Sequence, residues 1–397
     1  MVTALTGDNV TLGGNAVGSF ADKNVATGKA VSVTGLTLSG ADAGNYTLVA
    51  PAGLSANISQ VNLSVIGLAA SDKTYDGTTS VVLTGTATVA ARSGDSVSVG
   101  GTASGSFATN KNVHTGKAVS VTGSTLSGTD ASNYNLVQQT GLTATISPAS
   151  VTLSTGNVSK TYDATLNAVG SAVVSVGTLY SGDTLSGGSF AYTDKNVGAG
   201  NKTVNVSGVI LNDGNSGGNY TVSYASNTTS TISAASLTVG GLSASNKVYD
   251  ATTTATLTGT ATVTALGSDV LTLGGTAAGA FADKNVGTGK TVTVTGKTLG
   301  GADAGNYTLL QQSGLSADIS QADLAVTGLT TANRAYNASA VATLGGTAAV
   351  TKLGTDDVTL GGTASGAFAD KNVGTGKTVT VIGNTPVSYT HLTLPTN

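Results

Sequence analysis

The chain has 397 residues, of which 39% are hydrophobic and only 9% charged, with a formal net charge of −3 and no cysteine. All acidic residues are aspartate and the only arginines are Arg92 and Arg334, so the concentrated basic face that nucleic acid demands is missing. Without cysteine there is neither a disulfide framework nor a thiolate zinc site, and no apolar run is long enough for a membrane-spanning helix.

The chain enters a repeated pattern midway. "VTALTGDNV" at Val2 parallels "VTALGSDV" at Val263, so residues 1–60 read as a partial repeat. The first complete repeat is 61–147. "VNLSVIGL" alternates like a strand, and "SDKTYDGTT" supplies a turn at Asp76-Gly77. "SVVLTGTATV" is a second strand, followed by a turn at Ser93-Gly94-Asp95. "SVSVGGTASGSFA" is a third, interrupted by Gly100-Gly101, where a bulge or bend is expected. "KAVSVTG" alternates with Val119 and Val121 on one face, and "NYNLVQQ" and "LTATIS" bring the count to about seven strands. Thr, Val, Ser and Gly dominate, the mixture of half-exposed strands and turns.

The same order recurs over 148–234 and 235–321, then in truncated form over 322–384. The tyrosine of "YD" returns at Tyr75, Tyr162, Tyr249 and Tyr336, in steps of 87 residues, and that of "NY" at Tyr46, Tyr134, Tyr220 and Tyr307. Every phenylalanine, Phe20, Phe107, Phe190, Phe281 and Phe368, opens a version of "FADKNV". Such a period exceeds a solenoid coil and fits a small β domain. The array reads as beads in a row, each with its own core, and these thirteen rings are its expected core pins. Joints such as "ISPASVTLS" alternate and lack the Gly/Ser richness of a flexible linker. At ~35 Å per repeat, the strand lengths predict a stiff rod of about 150 Å.

The segment 385–397, "TPVSYTHLTLPTN", breaks the pattern where "KTLGGADAGNYTL" is expected. It reads as a non-repeat tail, foreign from about Pro386, on a chain that is a window of a longer array. The truncated repeat, without its corner tyrosine and last two strands, is expected to be the least stable.

About seven strands with short turns point to a two-sheet all-β sandwich. "DAGNYTL" at Asp42–Leu48 and at Asp303–Leu309 resembles the Asp-x-Gly-x-Tyr corner of immunoglobulin-type domains, which implies an immunoglobulin-like topology. Another all-β arrangement or a β-grasp-like repeat is the alternative.

Little chemistry is available. Gly287-Thr288-Gly289-Lys290-Thr291 looks like the end of a phosphate loop, but the first glycine of that motif is replaced by Lys284 and a strand pattern follows. His114 occupies a position held elsewhere by Ala26, Gly198, Gly287 and Gly374, and His391 lies in the tail. No nucleophile, base and orienter can be assembled, so no enzyme, catalytic residue or cofactor is expected. Calcium, which needs only oxygens, is the one metal the Asp-rich turns leave open, although no Asp-rich loop ending in Glu exists.

"SDKTYDGTTSVVLTG", with Tyr75-Asp76-Gly77, resembles the YDG-type repeat of bacterial filamentous-haemagglutinin-like surface adhesins. Ala164 and Ala251 replace the glycine, and the last copy reads Tyr336-Asn337-Ala338. The resemblance implies secretion to the bacterial outer surface and a stalk or spacer role. A multivalent array binding a glycan or host protein is the alternative, and the third-repeat extras Tyr180, Tyr192 and Tyr224 are where a ligand site is expected if one exists.

Overall fold

A computed structural model describes residues 1–388; the tail from Tyr389 to Asn397 lies outside the described residues. The repeat 61–147 shows how alternation becomes architecture. Its strands are β1 (Val61–Ser64), β2 (Ile66–Ala70), β3 (Lys73–Thr74), β4 (Ser80–Val81), β5 (Leu83–Thr88), β6 (Ser98–Phe107), β7 (His114–Ser127), β8 (Tyr134–Val137) and β9 (Leu142–Ser147). Five form one sheet in the order β3-β9-β7-β6-β4, while β1 pairs with β8 and β2 with β5. The hairpin β6–β7 is antiparallel, with Phe107 opposite Val119. The pairs β3–β9 and β1–β8 are parallel, Tyr134 lying opposite Val61.

The chain is thus an all-β array of tandem β-sandwich repeats. Its strand order has one local feature. The last two strands, β8 and β9, sit in different sheets, whereas the last two strands of an immunoglobulin domain share one. Strands β6 and β7 are the longest of the repeat. Their register shifts between Thr122 and Ser124, where Gly101 and Gly123 take φ of +73° and +87°. A Cβ on Gly123 would lie 2.3 Å from the Thr102 carbonyl oxygen. Only glycine permits this approach.

Contacts divide the chain into two compact units: one of 1–156, 169–191 and 204–227, the other of 157–168, 192–203 and 228–397. None of the five breaks between them coincides with a repeat boundary. In the first unit one apolar cluster joins Tyr75, Val81, Phe107, Val119, Ala144 and Ile146 to Ala149, Val151, Leu153, Leu211 and Tyr220, which belong to the following repeat. The expected bead with its own core is therefore corrected here: the core crosses the joint. The cause is the shortness of the joint. Only Pro148 separates β9 from the next strand, Ala149–Thr155, so the buried face continues. In the second unit Ala255, Phe281, Val292, Ala317 and Ile319 form a cluster within one repeat.

Of the expected core pins, Phe107, Phe281, Tyr75, Tyr162, Tyr134, Tyr220 and Tyr307 are buried, and Tyr46, Phe190, Tyr249 and Phe368 are half-buried. Three expectations are corrected. Phe20 is 38% exposed, because residues 1–60 contain no counterpart of the 70–83 segment whose side chains pack around Phe107. Tyr336 is 60% exposed, for a reason that emerges at the joints. Phe190 is not the core ring of its repeat: Tyr192 is, buried with its hydroxyl donating to the Val158 and Thr231 carbonyls at 3.0 Å. The Lys160 Nζ stands 5.3 Å from the Tyr192 ring centroid, as Lys73 stands 5.8 Å from Phe107 and Lys247 5.5 Å from Phe281. Tyr192 thus does not serve as an exposed ligand-stacking ring.

A candidate inter-repeat interface

The recurring polar residues converge at the joints. Each "DKN" turn is first tied to its own repeat. The Asp283 carboxylate accepts the Asn285 N–H at 2.7 Å and pairs with Lys290, whose Nζ also donates to the Asn285 carbonyl at 2.8 Å. The lysine of the phosphate-loop look-alike is therefore consumed in bracing a turn. Each "YD" turn is similar: Lys73 Nζ reaches Asp76 Oδ1 at 2.7 Å, and Asp76 accepts the Thr78 N–H at 2.9 Å. The next residue is left-handed in every copy, with φ +76° at Gly77 and +61° to +62° at Ala164, Ala251 and Ala338. Glycine is free there, and alanine is strained.

Braced in this way, the lysine and asparagine of "DKN" and the tyrosine of "YD" point into the following repeat. Tyr162 Oη donates to Asp269 Oδ2 at 2.6 Å and Tyr307 Oη donates to the same oxygen at 2.7 Å, while Lys195 pairs with Oδ1. The two rings meet edge to face, centroids 5.4 Å apart. One joint earlier, Asp183 accepts from Tyr75 at 2.9 Å, from Tyr220 at 2.7 Å and from Lys111 at 3.1 Å. At the first joint Lys23 pairs with Asp95 and, at 2.8 Å, with Asp130, and Tyr134 donates to Asp95. At the fourth, Tyr249 and Lys284 reach Asp356.

A second set of bonds runs beside the first. Asn306 Oδ1 accepts the Val197 N–H at 2.9 Å, and its Nδ2 donates to Asn196 Oδ1 at 3.1 Å. Asn219 does the same for Val113 and Asn112, and Asn133 for Val25 and Asn24. Apart from these amides reaching back, the lysine, tyrosine and valine N–H donors stand on one side and the carboxylate and amide oxygens that receive them on the other, so the joint is directional.

Exposure follows the joints. Tyr75, Tyr162 and Tyr249 each donate to a hub aspartate, and the first two also meet a neighbouring ring edge to face, whereas Tyr336 has no such acceptor among the described residues and is open. That explains its failure as a core pin. Sequence reading missed the hub aspartates. Their signal was present, since Asp8, Asp95, Asp183, Asp269 and Asp356 keep nearly the 87-residue period.

The electrostatics fix a pH window. Burial pushes the Asp269 carboxyl up, but Lys195 and the two tyrosine hydroxyls outweigh it and hold it below the usual range. Lys284 and Tyr249 lower Asp356, and Lys247 with the Thr252 amide brings Asp250 from 3.8 to about 2. A depressed carboxyl contributes stability that is present above its unfolded value and lost as pH falls through its folded one. The melting temperature should therefore hold above pH 3.8 and drop steeply as pH approaches about 2. Tyr162 has the opposite sign. Burial, then Asp269, pushes it from 10.0 up to about 12, so its contribution is complete below pH 10 and lost as pH rises through about 12. Thermal melts and tyrosinate absorbance against pH check both limbs; a flat acid limb would mean that the carboxylates are not engaged.

Among the described residues no three His, Cys, Asp or Glu side chains converge as a metal site, and the hub carboxylates face lysines. No helix among them is long and apolar enough to cross a membrane.

Comparison with curated proteins finds no match. The profile of the YDG domain matches five times in tandem, at residues 1–53, 59–141, 147–229, 233–314 and 320–391. These matches cover almost the whole chain and carry the repeated tyrosines, aspartates and lysines of the joints, and the chain belongs to the YDG domain family.

Proposed function

We propose that this array is a stalk or spacer of a large secreted or surface-attached bacterial adhesin of the filamentous-haemagglutinin-like kind. It holds an adhesive or anchoring region away from the cell and performs no catalysis. The observation that carries this reading is the joint itself. Pro148 alone separates two strands across the second joint, and the Lys–Asp and Tyr–Asp contacts recur at the second, third and fourth. A device that orients each repeat on the next suits a spacer that must transmit position. An array of glycan or host-protein sites has less support, because recurring rings are spent in cores and joints. Tyr224, an exposed exception, uses its hydroxyl to accept the Val209 N–H at 3.1 Å.

Small-angle scattering of the dilute chain is the test. A maximum dimension near the ~150 Å rod expected from strand length supports the stalk. A compact globule or a freely jointed chain overturns it.

A further inference from the structure

Each complete repeat receives the chain through its first strand and passes it on through its last, and both strands lie in parallel pairs. In 61–147 the entry strand β1 runs beside β8 over four residue pairs, from Val61 opposite Tyr134 to Ser64 opposite Val137. The exit strand β9 runs beside β3, with Ile146 opposite Lys73 and Ser147 opposite Thr74. Backbone bonds extend both ladders: the Val65 N–H donates to the Val137 carbonyl at 2.9 Å, and the Tyr75 N–H to that of Ser147 at 2.8 Å. Just past β8 the Gln139 side chain closes on Leu68, its Oε1 accepting the N–H and its Nε2 donating to the carbonyl, each at 2.8 Å.

The arrangement recurs. In 148–234, Ala149–Thr155 is parallel to Tyr220–Tyr224 over five pairs and Ser159–Thr161 to Asn227–Ser233 over three. In 235–321, Ala235–Thr238 is parallel to Tyr307–Leu310 over four pairs and Lys247–Val248 to Leu315–Ser320 over two. There Gln312 holds Leu242 as Gln139 holds Leu68.

Direction decides how such a pair fails under tension. Where neighbouring strands are antiparallel, the start of one lies beside the end of the other, and pulling on those points peels the cross-strand bonds apart in turn. Where they are parallel, the same two points lie at opposite ends. Tension then runs along the strands, and the bonds of the ladder have to give together. Both pairs of a repeat meet this condition. Tension from outside reaches the N-terminal end of β1, and through it β3, and the C-terminal end of β9, and through it β8. Forced opening follows the unfolding rate rather than the equilibrium stability, so a domain of ordinary stability can resist strongly in this direction.

We propose that the complete repeats carry tension along the chain, with β1–β8, β3–β9 and their counterparts acting as shear clamps. A tethering role for that resistance rests on the spacer reading above; the resistance itself does not.

Single-molecule pulling on the full chain tests the clamp. The chain has no cysteine, so two introduced thiols are unique handles. Ser59→Cys with Thr140→Cys pulls β1 and β8 from opposite ends, and Ser59→Cys with Ser132→Cys pulls the same pair from one end. All three side chains are exposed, so both variants should melt like wild type. At equal loading rate the first geometry should open at a severalfold higher force than the second. Thr129→Cys, also at an exposed position, replaces Ser132→Cys in a repeat of the second geometry. Equal forces in the two geometries, or a lower force in the first, overturn the proposal. A compact globule in scattering would remove the spacer reading and leave this comparison standing.

Discussion

Replacing Asp269 with alanine should cost the second compact unit about 3–5 kcal/mol, the range for removing one partner of a buried charge pair. The carboxylate is buried and accepts from two tyrosine hydroxyls as well as from Lys195. Without it the Tyr162 and Tyr307 hydroxyls have no shared acceptor, and a buried donor left unsatisfied costs about 1–3 kcal/mol. The loss should concentrate on both sides of the third joint, in 157–168 and around 266–269, because the hub belongs to one repeat and its donors to another. Hydrogen exchange with mass spectrometry locates it. Asp269→Asn keeps the shape and an acceptor oxygen but loses the charge, so it should fall between wild type and alanine. An alanine variant that melts like wild type would mean that the joint orients repeats without stabilising them.

The second large effect is expected at Phe281. Its ring is buried against Ala255, Val292, Ala317 and Ile319, with the Lys247 ammonium 5.5 Å from its centroid. Phe281→Ala removes both the transfer energy of the ring and the packing around it, about 3–5 kcal/mol, against a margin of about 5–15 kcal/mol for a small domain. The repeat 235–321 should open while the cluster around Phe107 keeps its protection. The same change at Phe20, which is 38% exposed, should cost clearly less. Equal losses at the two positions would contradict the burial described here.

Much of the fold could be read from the chain because its signals are local. Alternation marked the strands, glycine pairs marked the bends, and the 87-residue recurrence marked the repeat. The joint was hidden for a physical reason. Tyr75 meets Asp183 at a separation of 108 residues, more than one period away, so inspection of a single repeat shows the tyrosine and the aspartate as unrelated turn residues. The substitution of Tyr192 for Phe190 was closer to hand. Phe281 lies three residues before Lys284, and it is Tyr192, not Phe190, that lies three before Lys195. Counting back three residues from the lysine, or four at Lys111, finds the buried ring; matching phenylalanine to phenylalanine does not. Parallel pairing of β1 with β8 leaves no mark in either strand, since register and direction there depend on the bent hairpin between them.

A joint that repeats the same contacts at every step also bears on how such a gene can change. Loss or gain of one whole period by unequal recombination still sets a "DKN" lysine against a hub aspartate, so no new interface has to arise. A slip of any other size sets the lysine against the wrong turn and breaks the junction. Array length can therefore drift in whole periods at little structural cost. The stretches Leu273–Gly296 and Leu360–Gly383, which differ at two of 24 positions, have the near-identity that a recent duplication of one such period leaves behind.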